Sequence, residues 1–138
     1  MFGGGATVGV SLNVTFDKQV SPYGTLTDDH NALGNGLEQL DKALTRAGLP
    51  TLGRFASADP SEWEDMDPDD PHATALPPLQ WFDPADGLLA VRSAMAHLRA
   101  KPRAVSWSAD ALDELEQVEA ELAAAQKRKA RFNFAICD

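Results

Sequence analysis

Cysteine is nearly absent. The one copy, Cys137, has no partner within the chain, so no internal disulfide framework holds the fold. Long apolar runs are missing too, and nothing approaches the roughly 18 residues that a membrane span needs. The amino end, MFGGGATVGV, lacks the positive n-region and long apolar h-region of an export signal. Together these absences predict a cytoplasmic protein with no membrane partner. Basic residues are outnumbered, 12 Lys and Arg against 21 Asp and Glu, for a formal charge of −9. Nucleic-acid binding rests on clustered Lys and Arg, so no nucleic acid is expected, whereas a basic protein partner is favoured.

Chemistry-bearing motifs are equally sparse. Histidine stands only at positions 30, 72 and 97; no pair has the i, i+4 ligand spacing, and HExxH, CxxC and phosphate-binding glycine motifs do not occur. His97 sits beside Met95 and Leu98, a boundary position. Cys137 has no feature in sequence that would lower its thiol pKa, so it reads as a packed or terminal thiol rather than a nucleophile. Asp65, Asp67 and Asp69 match the opening of an EF-hand loop, but Asp70 stands where glycine is needed and Leu76 where a bidentate Glu is needed. No metal, no cofactor and no catalytic residue is therefore expected.

What is present is a clear set of elements. At 138 residues the chain is of modal size for one domain with a single core. The segment that organises it is Trp81 to Pro102. Asp83 is an N-cap and Pro84 suits the first helical position. Leu88, Val91, Met95 and Leu98 recur at steps of three and four and define a buried face. Pro102 stops the helix near Arg99 to Lys101. Trp81 and Phe82 are placed to fold back on the first turn as a hydrophobic staple.

Around that helix the chain reads in order. Residues 1–6 form a flexible lead. Val8, Val10, Leu12, Val14 and Phe16 alternate with polar residues, which predicts a strand with one buried face. Ser21, Pro22 and Gly24 mark residues 18–29 as turn or loop. Leu33, Leu37, Leu40 and Leu44 set a helical stripe ending at Gly48. Its start is offered caps by Thr27, Asp28 and Asp29, while Gly34 and Gly36 either fray the first turn or admit a close neighbour. Leu52 and Phe55 are expected in the core, and residues 59–80 form an acidic, proline-rich loop. Ser108 caps a third helix with the stripe Leu112, Leu115, Val118, Leu122 and Ala125. Phe132, Phe134 and Ile136 alternate in a closing strand.

The expected fold is α+β: a small, mainly antiparallel sheet with the N- and C-terminal strands paired, covered on one face by three helices. A further strand has room between residues 49 and 80. The whole chain, 1–138, reads as a single domain.

The stretches SLNVTFD (Ser11 to Asp17), WFDPADGL (Trp81 to Leu88) and RFNFAI (Arg131 to Ile136) resemble a group of small bacterial proteins without an assigned activity. That resemblance implies a bacterial origin and brings no catalytic or cofactor residues with it.

Three functions are compatible with these residues. The first is a non-catalytic protein-binding module of immunity or antitoxin type, using Asp65, Asp67, Asp69 and Asp70 with Trp63 and Trp81 against a basic partner. The second is a small-molecule-binding or hydrolytic site in which His97 or His30 works with a carboxylate. The third is a structural subunit that dimerises through an exposed strand edge; the chain is expected as a monomer or homodimer.

Overall fold

The structure is a computed structural model and describes residues 10–57 and 79–137. The chain runs β1 (Ser11–Val20), β2 (Gly24–Leu26), α1 (Asn31–Arg46), a 3₁₀ turn (Gly53–Phe55), α2 (Pro84–Ala100), α3 (Ser108–Lys127) and β3 (Phe132–Cys137). The three strands form one antiparallel sheet in the order β2-β1-β3. The expected α+β architecture, with terminal strands paired, is the one observed.

Register explains the core. Leu12 lies opposite Ile136, Val14 opposite Phe134 and Phe16 opposite Phe132, so the apolar sets of both strands share one face. The helices pack on that face. Leu33, Leu40 and Leu44 from α1, Leu88, Val91, Met95 and Leu98 from α2, and Leu115, Val118, Leu122 and Ala125 from α3 are all buried. Phe55 and Phe82 complete an aromatic group with Phe132 and Phe134. The Phe55 ring lies 5.3 Å from that of Phe82, 5.2 Å from Phe132 and 5.8 Å from Phe134. Each fully buried Phe contributes about 1.5–3 kcal/mol.

Several local expectations are corrected. The turn residues Ser21 and Pro22 do reverse the chain, but between two paired strands: β1 continues to Val20, and β2 returns along it from Gly24, whose φ of 73° suits glycine. The short strand β2 carries no alternating apolar pattern, and Leu26 is exposed. The opposite face of β1 is closed to solvent at its start and exposed by Asp17. Ser11, Asn13 and Asn133 are buried there, and their polar groups are bonded. Asn13 Nδ2 donates to the Thr27 carbonyl at 3.0 Å and to Asp29 Oδ1 at 2.7 Å, and the Thr15 hydroxyl donates to Asn133.

The caps also differ. Asp83 accepts from the Ala85 N–H at 2.9 Å and starts α2 as expected. Ser108 does not cap α3; Trp107 occupies that position, and the Ser108 hydroxyl instead donates back to the carbonyls of Pro102 and Val105. Nor does Phe82 act as a staple. The residue it would meet four positions past the cap is Gly87, where a Cβ would lie 2.4 Å from Phe132 Cζ. Phe82 pairs through its backbone with Phe132 instead.

The ends of α1 and α3 share one geometry. In each, the residue two beyond the C-cap donates back to the carbonyl three before the cap: Leu49 to Leu44 and Ala130 to Ala125. The intervening position needs positive φ. In α1 it is Gly48 at 72°; in α3 it is Lys129 at 57°. That conformation costs an L-residue about 1 kcal/mol or more.

Candidate functional site

The structure joins one histidine to a carboxylate. Leu12 and His30 exchange both backbone hydrogen bonds, at 3.0 and 2.9 Å, which holds His30 extended (φ −110°) as the residue that precedes α1. Its side chain then meets α3. His30 Nε2 stands 2.9 Å from Glu121 Oε1, so the Nε2–H donates to the carboxylate. Nδ1 has no hydrogen-bond partner among the described residues.

A second α3 carboxylate, Glu114, lies seven residues earlier on the same helical face. Its two oxygens accept from the backbone N–H groups of Ala32 and Leu33 at 3.0 and 2.8 Å. It thereby caps α1, where a negative group is favoured. This corrects the expectation that Thr27, Asp28 or Asp29 does so. Two of those are committed to β1: Thr27 Oγ1 accepts from the Val14 N–H, and Asp29 accepts from Asn13.

The His30–Glu121 pair is sealed. Relative exposure is 1% for His30 and 5% for Glu121, and none of the four clefts described for the surface is lined by a histidine. A general base must reach its substrate directly or through one water. The arrangement fixes α1 to α3 and offers nothing to a ligand. His97 is half-buried on α2 and has no carboxylate partner among the described residues.

The largest of these clefts, about 630 Å³, lies along α1 and includes Leu37, Asp41, Lys42, Arg46, Gly53 and Ala56. Asp41 is its structural centre. Its carboxylate accepts from the N–H groups of Leu52 and Gly53 at 2.8 and 3.0 Å. Burial pushes its carboxyl above the usual range, against the pull of those two bonds. Both oxygens are thus engaged within the chain.

A smaller cleft of about 370 Å³ opens where α2 begins and α3 ends. Buried Pro84 and Ala130 form its apolar part, half-buried Trp81 a wall, and Asp83, Gln126, Lys129 and Arg131 its polar rim.

Of the predicted partner-binding residues, Trp63, Asp65, Asp67, Asp69 and Asp70 lie outside the described residues, and Trp81 lines the cleft just described. Both ends of the acidic segment are visible, however. Ser57 N–H donates to the Phe134 carbonyl at 3.0 Å, and Phe82 and Phe132 exchange backbone bonds of 2.8 and 3.0 Å. The Gln80 N–H donates to Ser57 Oγ at 2.9 Å. The chain therefore leaves and re-enters the fold at one point, on the outer edge of β3. That leaves the three residues of β2 as the other outer edge of the sheet.

Trp107, the remaining indole, donates to Gln39 at 2.6 Å and occupies the space a Cβ on Gly36 would need. Close approach, not fraying, explains Gly34 and Gly36. The residues sequence reasoning missed are Glu114 and Glu121. The available signal was Glu121 itself, a charge one position before Leu122 and three after Val118, on the face that supplies the core.

Among the described residues no helix is long and apolar enough to cross a membrane, and no three His, Cys, Asp or Glu side chains are grouped as metal ligands would be. No family model, curated protein or solved structure matches the chain, and so the resemblance to small bacterial proteins gains no support from these comparisons.

Proposed function

We propose that this protein is a non-catalytic binding module that recognises a basic protein partner through its acidic segment, in the manner of an immunity protein or antitoxin. The observation that carries this reading is the segregation of charge. Asp59, Glu62, Glu64, Asp65, Asp67, Asp69 and Asp70 fall in one stretch without a basic residue, while all 12 Lys and Arg lie in the described part of the chain. Ser57 and Gln80, which flank the segment that contains this stretch, are hydrogen-bonded to each other. A dense run of negative charge favours fast, salt-sensitive association with a positive surface. The burial of the His30–Glu121 pair supports the reading further, because it takes His30, one of the two histidines of the alternative, out of reach of a ligand.

The test is a comparison of the wild-type protein with a variant in which Asp65, Asp67, Asp69 and Asp70 are all replaced by Lys. Tagged protein is used to capture partners at low and moderate salt, and association with any partner recovered is then timed with purified components. The reading expects a stoichiometric basic protein that is lost as salt rises. It also expects association with the variant to be slower by about tenfold or more at low salt. Equal association rates for the two proteins would refute it.

A further inference from the structure

We propose that the cleft between the start of α2 and the end of α3 binds a small planar anion, a ring bearing a phosphate or a carboxylate. The proposal does not depend on the acidic segment. Its volume of about 370 Å³ falls in the range of small-ligand sites. The lining is divided as such a ligand requires. Pro84, Ala130 and Trp81 are its apolar and aromatic members, while Lys129, Arg131 and Gln126 bring side chains with donor groups. Asp83 is the one acid present, and its Oδ1 already accepts from the Ala85 N–H. Two cations against one carboxylate leave the lining net positive, which favours an anion.

Lys129 is the second, independent observation. The turn that ends α3 asks for glycine, and the matching turn of α1 has it, Gly48. At φ 57° Lys129 holds a left-handed conformation that its side chain disfavours. Strained residues of this kind concentrate at ligand sites. Here the left-handed position is held by a lysine that lines the same cleft as Trp81. The main chain at Arg131 is held two residues on, because its backbone N–H donates to Asp17 Oδ1 at 2.8 Å. A planar anion would stack on Trp81 and set its charged group between Lys129 and Arg131.

The probes are phenyl phosphate and benzoate, titrated into the full-length protein by calorimetry and by ligand-observed NMR at low salt, with inorganic phosphate as the ring-free control. Phenyl phosphate should bind more tightly than inorganic phosphate. Lys129→Gly and Arg131→Gln should each weaken it by roughly tenfold or more. Lys127→Gln, which removes a nearby exposed charge outside the cleft, should leave it unchanged. Lys129→Gly relieves the strained turn and should raise the unfolding midpoint, so loss of binding there is not loss of fold. Absence of binding by either ring-bearing probe overturns the proposal, as does binding undiminished in both cleft variants.

Discussion

Glu121→Met, made alone and together with His30→Leu, tests the buried pair most directly. In the single variant the His30 Nε2–H loses its acceptor within a ring that is 1% exposed. Nδ1 already has no partner among the described residues, so both ring nitrogens are then left without one. Removing one member of a buried pair costs about 3–5 kcal/mol, whereas replacing both with apolar side chains of similar volume is often close to neutral. With a urea m-value of about 2 kcal/mol/M, the single variant should unfold at a midpoint lower by about 1.5–2.5 M. The double variant should fall within about 0.5 M of wild type, by the same m-value. Glu121→Gln keeps an acceptor and should cost only about 1 kcal/mol. Circular dichroism during urea titration reads all five proteins, the His30→Leu single variant included. His30 contributes no side-chain bond to the α1 cap, so His30→Leu removes the pair without uncapping the helix. If Glu121→Met changes stability by less than about 0.5 kcal/mol, or if the two substitutions simply add, the pair is not the tie between α1 and α3 that its geometry implies.

Two further outcomes follow from close contacts and burial. Gly34→Ala should destabilise more than Gly36→Ala, because a Cβ on Gly34 meets the backbone of Val10 and Ser11 at 2.4–2.6 Å. On Gly36 the nearest atoms belong to a side chain, that of Trp107, and not to backbone; thermal unfolding of the two variants, with losses of about 1–3 kcal/mol for the first, checks the order. For Asp41 the sign follows from its raised carboxyl pKa. The folded protein keeps that proton at pH values where the unfolded chain has released it, so this group's contribution to stability falls as pH rises above 3.8. Asp41→Asn should remove that component of the slope in a Tm-against-pH series, while costing about 1 kcal/mol by setting an amide N–H against a backbone N–H. An unchanged slope would show that the carboxyl ionises alike in both states.

Most of the frame was legible because period and capping agree in it. Asp83-Pro84 fixed the start of α2, the stripe Leu88 to Leu98 its buried face, and the alternation of Leu12 to Phe16 with Phe132 to Ile136 predicted the paired strands. The failures share a cause. β2 is three residues with no buried side-chain pattern, held by backbone bonds to β1, and backbone pairing leaves no mark on composition. The cap of α1 comes from Glu114, some 80 residues away, and a cap supplied across the fold has no local signature. Ser11 and Asn13 look like a solvated strand face, yet they are buried and bonded to each other and to Thr27 and Asp29. The cleft at Trp81 depends on two helix ends meeting, and Lys129 at a glycine position is visible only once φ is known.

The hydrogen bond from Gln80 to Ser57 separates two histories within one chain. Closing a loop costs entropy that grows only with the logarithm of its length, about 0.6 kcal/mol for each doubling. Ser57 and Phe82 are bonded to β3 on their own account. The number of residues between them therefore adds little to the cost of making those bonds. The aromatic group around Phe55, Phe82, Phe132 and Phe134 answers to a separate constraint, that of packing ring against ring.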